Sequence, residues 1–258
     1  MQIISFILIY FIFPVSLMGM KIDRVILSSD TNQNYLPYWP IVAKAWKKLG
    51  IKPTLALIGK IDVEVDRSLG DVIRFDPILH VKTSLQAQTI RFFLPAMFPE
   101  EVCLISDIDL LPLNKEYFFD AVKDLPEDAF IVYRDKAYKN MPRYPMCFIA
   151  AKGKTFQEVF EIKKIRNIPF TIKKWKKLKL GWNTDELLLY RYLINWKDFD
   201  ERCILLHHDV EKRIDRMDWK YDEKLVKENY YIDAHLPRPY SEHKEIIDQF
   251  ISHLDLEK

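Results

Sequence analysis

A chain of 258 residues, 49% hydrophobic and 29% charged, carries enough apolar material for one substantial core and has no composition that points to long disorder. Only six glycines argue against a loop-rich β-sandwich, and a net charge of +2 does not by itself imply a polyanionic partner. Cys103, Cys147 and Cys203 each lie in an apolar run, which reads as reduced core thiols and favours a reducing, cytoplasmic compartment.

Residues 2–18 are almost wholly apolar but lack the basic stretch that precedes the core of a secretory signal; the first cations, Lys21 and Arg24, come after them. Residues 1–19 therefore read as a dispensable leader, as an anchor that would leave the following domain cytoplasmic and membrane-associated, or as a cleaved signal. Residues 20–258 read as one domain. A strand over 24–27 runs into the polar turn Ser28-Ser29-Asp30-Thr31-Asn32-Gln33-Asn34. Val42, Ala45, Trp46 and Leu49 then fall at i, i+3, i+4 and i+7 of a helix that Gly50 stops, and 54–58 is a second strand. Further helices are predicted over 86–93, 114–122, 155–165 and 183–193, and strands over 102–106, 130–133, 146–151 and 203–206. Ile246, Ile247, Phe250, Ile251 and Leu254 form the apolar stripe of a last helix. This alternation predicts an α/β domain with a mixed, mostly parallel central sheet flanked by helices.

The run Val102-Cys-Leu-Ile-Ser ends in Asp107-Ile-Asp109. Side chains alternate along a strand, so both carboxylates are expected on one face at its carboxyl end, where open α/β sheets bind ligands. Side by side they repel unless a cation lies between them. Hard oxygen donors suit Mn²⁺ or Mg²⁺, which such sites share with a substrate phosphate. Asp30 or Asn32 can hydrogen-bond a base or ribose, Tyr35 can stack on the base, and Arg91 can reach a phosphate or sugar hydroxyl. The same residues also suit a solvated Asx-rich turn and, for Arg91, a surface helix position.

Taken in order, Ser29-Asp30-Thr-Asn32-Gln-Asn34-Tyr35, Arg91-Phe-Phe-Leu-Pro95 and Asp107-Ile-Asp109 resemble the metal-dependent glycosyltransferases of the GT-A fold, particularly family 8. In that family an opening Ser-Asp-x-Asn-Tyr binds the nucleotide, and an Arg-Leu-Leu-Leu-Pro helix precedes the acidic motif. The resemblance runs over residues 22–113. It implies a GT-A (nucleotide-diphospho-sugar transferase) fold and a UDP-linked donor contacted by Ser29, Asp30, Asn32, Tyr35, Arg91 and Asp107. It also implies a Mn²⁺ or Mg²⁺ ion on Asp107 and Asp109. Asp233-Ala-His235-Leu-Pro-Arg238-Pro-Tyr240 resembles in outline the family's closing His-x-x-Gly-x-x-Lys-Pro-Trp, with shorter spacing and no glycine. That likeness makes His235 the third metal ligand and Arg238 the diphosphate clamp.

Gly181-Trp182-Asn183-Thr-Asp185-Glu186 resembles the Gly-Trp-Gly-Gly-Glu-Asp type motif of inverting galactosyltransferases, in which an aromatic ring packs near the sugars and a carboxylate takes the acceptor's proton. Family 8 proteins carry a comparable acidic motif, so Asp185 and Glu186 are the expected catalytic carboxylates. The same stretch reads as a helix start, with Asn183 and Glu186 at capping-box spacing. Just upstream, residues 163–179 hold eight cations and no acid, together with Phe170 and Trp175. They read as a membrane-surface contact, a lid over the diphosphate or a solvated basic loop. No nucleic-acid partner is expected, because the charge is local and no recognition module accompanies it.

The sequence thus points to a glycosyltransferase that moves a sugar from a nucleotide-diphosphate donor to a saccharide or other hydroxyl acceptor. A non-catalytic nucleotide-sugar or carbohydrate-binding subunit is the alternative. A haloacid-dehalogenase-like phosphatase also places Asp-x-Asp after an apolar strand, but Leu111 stands where that pattern has Thr or Val.

Overall fold

A computed structural model describes residues 19–60, 63–162 and 164–256; the apolar stretch 1–18 lies outside them. The strands in chain order are β1 (Arg24–Asp30), β2 (Lys52–Ile58), β3 (Asp71–Phe75), β4 (Val102–Ile105), β5 (Leu110–Pro112), β6 (Phe130–Val132), β7 (Ile149–Lys152), β8 (Cys203–Leu205), β9 (Arg213–Ile214) and β10 (Asp233–His235). Seven of them make the central sheet, in the order β3-β2-β1-β4-β7-β6-β8. Only β7 runs against its neighbours; every other pairing in this sheet is parallel. A second, three-stranded sheet has the order β5-β10-β9.

The helices are α1 (Trp39–Lys48), α2 (Thr83–Ile90), α3 (Lys115–Phe119), α4 (Gly153–Val159), α5 (Ile168–Lys176), α6 (Thr184–Ile194), α7 (Phe199–Arg202), α8 (Glu223–Lys227) and α9 (Tyr240–Ser252). Gly50 ends the first of these with φ +84°, a left-handed value that a β-carbon would strain. The architecture is the α/β arrangement that the alternation predicts, a mixed and mostly parallel sheet with helices on its faces.

Strand residues alternate between two cores, which is why the central strands read as unbroken apolar runs. Val25, Leu27, Leu55, Leu57 and Leu104 pack into one cluster with Trp46, Phe118 and Phe148. Ile26, Ala56, Ile58, Cys103 and Ile105 face the other, with Phe92, Phe93, Trp175 and Leu189. Trp175 stacks on Phe93 at 5.0 Å between ring centres and meets Phe92 edge-on at 5.8 Å. The basic segment is therefore anchored: α5 buries Ile168, Ile172 and Trp175 while its lysines and Phe170 face outward.

Several boundaries differ from the sequence prediction. The helix expected to 165 ends at Val159, followed by a left-handed Glu161 that breaks the repeat. The helix expected over 114–122 is a single turn, Lys115–Phe119, capped by the Asn114 side chain, which accepts from the Tyr117 N–H at 2.9 Å. β3, β5, β9 and β10 had no counterpart in the prediction. Among the described residues no helix is long and apolar enough to cross a membrane, and all three cysteines are free.

Candidate active site

The carboxyl ends of β1 and β4, the start of α6 and the edge of the small sheet enclose a cleft of about 270 Å³. This is where a parallel sheet leaves unpaired strand ends for a ligand. Ser29, Asp30, Tyr35, Arg91, Asp107, Asp109, Asp185, Glu186, His235 and Arg238 all line it. Asn32 does not. Its amide oxygen accepts from the Asn34 N–H at 2.9 Å, and it sits exposed in the turn, so at this position the Asx-turn chemistry holds.

The acidic pair lies elsewhere than expected. β4 stops at Ile105, and Asp107 and Asp109 sit in the turn that follows, closed by the Leu110 N–H on the Asp107 carbonyl at 3.2 Å. Strand alternation therefore does not align them. The turn and the small sheet do: Leu110 pairs with His235 across β5 and β10, and the Leu236 N–H donates to the Asp109 carbonyl at 2.9 Å. This pairing carries the C-terminal His235 to the acidic turn. Asp233, at the far end of β10, anchors it by accepting from Arg134 at 2.5 Å and Arg213 at 2.7 Å in a fully buried position.

Each carboxylate of the pair has its own arginine. Arg91, buried at the end of α2, forms an ion pair with Asp107, donates to Asp185 at 2.9 Å and reaches the Ser106 carbonyl at 3.2 Å. Arg91 thus bridges two acids while lining the cleft. Burial alone would raise the Asp107 pKa, but the charge and hydrogen bond of Arg91, with His235 and Arg216 behind it, hold it below the usual carboxylate value. Asp109 accepts from Arg216 at 2.9 Å, with Arg238 Nε at 3.4 Å and His235 Nε2 at 3.6 Å. Arg216 also donates to His235 Nε2. Because a guanidinium only donates, that nitrogen must be the acceptor. Burial lowers the His235 pKa, as does the charge of Arg216, although Asp109 opposes them.

The three residues expected to hold a divalent ion thus share the cleft without forming its donor set. Asp107 is committed to Arg91, and Arg216 spans Asp109 and His235. Among the described residues no group of three or more His, Cys, Asp or Glu side chains converges as metal ligands would.

Across the cleft, α6 opens with Asp185 and Glu186. The capping box does not form: Asn183 makes no side-chain cap, and the Glu186 carboxylate instead accepts from the Tyr138 hydroxyl at 2.6 Å and Arg143 at 3.2 Å. Burial pushes the Asp185 pKa from 3.8 up to about 6, with Arg91 opposing the shift and Asp107 adding to it. Burial likewise raises Glu186, against the hydrogen bond from Tyr138. Trp182 stands over the mouth, 65% exposed.

On the other side Tyr35 and Arg238 form one unit. The guanidinium lies over the Tyr35 ring, 4.8 Å from its centre, and donates to the hydroxyl. Asp30 accepts from the Asn32 N–H at 3.1 Å and the Thr83 hydroxyl at 2.7 Å, and so fastens the β1 turn to the start of α2. Ser29 Oγ donates to the Asp30 carbonyl at 2.8 Å. The described part of the basic segment contributes no residue to the lining.

Arg213, Arg216, Tyr138 and Arg143 were not singled out in the sequence. Arg213-Ile-Asp-Arg216 matches no motif, and its relation to the site exists only through the pairing of β9 with β10.

No protein-family model and no curated sequence matches the chain. Among solved structures it is similar to the galactosyltransferase LgtC in complex with donor and acceptor sugar analogues, at 11% identity over 83% of this chain and 86% of that one, TM-score 0.49. It is also similar to the glycosyltransferase GlyE of Streptococcus pneumoniae TIGR4, at 14% identity over 83% of this chain and 54% of that one, TM-score 0.43. The chain spans about half the length of GlyE.

Proposed function

We propose that the protein is a glycosyltransferase of the GT-A type, moving a sugar from a nucleotide-diphosphate donor, UDP-linked, to a hydroxyl of a saccharide or similar acceptor. One observation carries this reading. A single cleft at the carboxyl ends of parallel strands holds an aromatic and polar wall at Tyr35, cations at Arg216 and Arg238, and carboxylates at Asp185 and Glu186 beneath the exposed ring of Trp182.

These groups suit the order of a donor's parts. The base would lie against Tyr35, the diphosphate against the arginines, whose forked donors match phosphate oxygens, and the donor sugar between these and the carboxylates, which leaves Trp182 at the rim for the acceptor. In the transfer, the bond from the anomeric carbon to the diphosphate oxygen breaks and its electron pair leaves on the diphosphate. The acceptor oxygen forms the new bond and gives its proton to a carboxylate. Asp185, with a pKa of about 6, is suited to accept that proton near neutrality.

The grip of Arg91 on both Asp107 and Asp185 supports a second reading, a subunit that binds nucleotide-sugars without turning them over. Incubation with a panel of nucleotide-sugars, with released nucleoside diphosphate measured alongside thermal shift, separates the two. Stabilisation with release supports the transferase, stabilisation without release the binding subunit, and neither effect with any donor overturns both.

A further inference from the structure

The sequence calls for a divalent cation because Asp107 and Asp109 would otherwise repel, yet in the structure neither carboxylate lacks a counter-charge. Arg91 is paired with Asp107, and Arg216 reaches Asp109 at 2.9 Å while donating to His235. Arg216 thereby spans the two residues between which a metal would have to enter. A metal ion would have to displace a guanidinium from two partners at once and then share the space with the nearby Arg238, whose Nε is 3.4 Å from Asp109.

We infer that Arg216 stands in place of the metal: its guanidinium, held between Asp109 and His235, is the cation that meets the donor's diphosphate, so that nucleotide binding requires no divalent ion. The inference rests on the reading of the cleft as a nucleotide-diphosphate site. The chemistry is sufficient. Arg216 uses two of its five N–H donors on Asp109 and His235, and as a residue lining the cleft it has the others left for phosphate oxygens. Asp109 and His235 Nε2 both accept from the guanidinium and so hold it at the floor of the cleft. With Arg238 alongside, the site offers two positive charges, as many as a divalent ion would bring.

The test is equilibrium binding of UDP, GDP, ADP and CDP to the full chain, in EDTA and in Mn²⁺, for wild type, Arg216→Gln and Arg216→Lys. Wild type should bind its preferred diphosphate equally well in both conditions. Arg216→Gln should lose roughly tenfold or more in EDTA, the worth of a charge-assisted contact, with Arg216→Lys retaining part of it. Wild type that binds only with Mn²⁺ would overturn the role of Arg216 and leave the transferase reading standing. So would an Arg216→Gln protein that binds in EDTA as tightly as wild type. A wild type that binds no nucleoside diphosphate in either condition would overturn the nucleotide reading itself, and this inference with it. The wild-type comparison needs no variant to fold.

Discussion

Arg91 donates to Asp185 at 2.9 Å with both side chains buried, tying the end of α2 to the first turn of α6. The same guanidinium pairs with Asp107, so one cation holds two acids that approach the cleft from opposite walls. Taking charges out of water is unfavourable, and a pair of this kind adds little net stability over an apolar substitute; removing one member, however, strands the others uncompensated. Arg91→Met is therefore expected to cost about 3–5 kcal/mol of folding free energy, with Arg91→Met/Asp185→Asn recovering part of the loss. Urea denaturation with an unchanged m-value measures it. A cost below about 1 kcal/mol would mean that the acids find water instead.

Asp185 has a pH signature of its own. Burial raises its folded pKa from 3.8 to about 6, so its contribution is fully present below the unfolded value and is lost as pH rises through the folded one. Wild type should therefore lose stability relative to Asp185→Asn as pH goes from about 4 to about 6, and the difference between the two should level off above that window. The reactive form is the ionised one, so turnover should rise with pH over the same range, with the rise absent in Asp185→Asn. Stability curves of the two proteins that run parallel across the window would show that Asp185 ionises at its ordinary pKa.

Neighbouring residues on the β1 turn should part company in nucleotide binding. Tyr35 and Arg238 form one stacked, hydrogen-bonded unit on the cleft wall, whereas Asn32 is turned into its own loop. Tyr35→Ala is expected to weaken UDP binding by about 1–3 kcal/mol, as loss of base stacking on an aromatic ring does. Arg238→Ala should have a comparable effect, and the double variant less than the sum, since the two side chains support each other. Asn32→Ala should leave affinity unchanged. Calorimetric titration reads all four proteins, and equal losses at Asn32 and Tyr35 would place the nucleotide along the turn rather than against the ring.

Sequence pattern revealed the fold where strands are apolar throughout, and it picked out candidate site residues where they sit near one another in the chain. Val25 to Leu27, Leu55 to Ile58 and Val102 to Ile105 are buried on both faces and so read as continuous apolar strands. β3 escaped because, paired on one side only, it is half-buried along its whole length. β5, β9 and β10 escaped because two or three residues carry no period and their pairing is made by chain distant in sequence. The same limit governs the site. Asp107, Asp109, Asp185 and His235 stand out as local motifs, but the side chains that pair with them do not, as with Arg216 and Asp109, 107 residues apart. A lone arginine in an unremarkable stretch gives no local sign of that.

Trp182 allows a test of the acceptor side that does not disturb the fold. Its ring is 65% exposed and lines the cleft just ahead of Asp185, so on the proposed function it is placed to meet the acceptor. Little packing is lost on truncation, so Trp182→Ala should change folding stability by no more than about 0.5 kcal/mol. What should change is acceptor use: on the proposed placement of the acceptor beside this ring, KM for the acceptor is expected to rise roughly tenfold, with UDP affinity unaltered. Trp182→Phe, which keeps a flat apolar face, should restore most of the loss. Steady-state kinetics with donor and acceptor varied in turn separate the two effects. A rise in donor KM alone would move Trp182 to the donor sugar, and an unchanged acceptor KM would leave it a bystander at the rim.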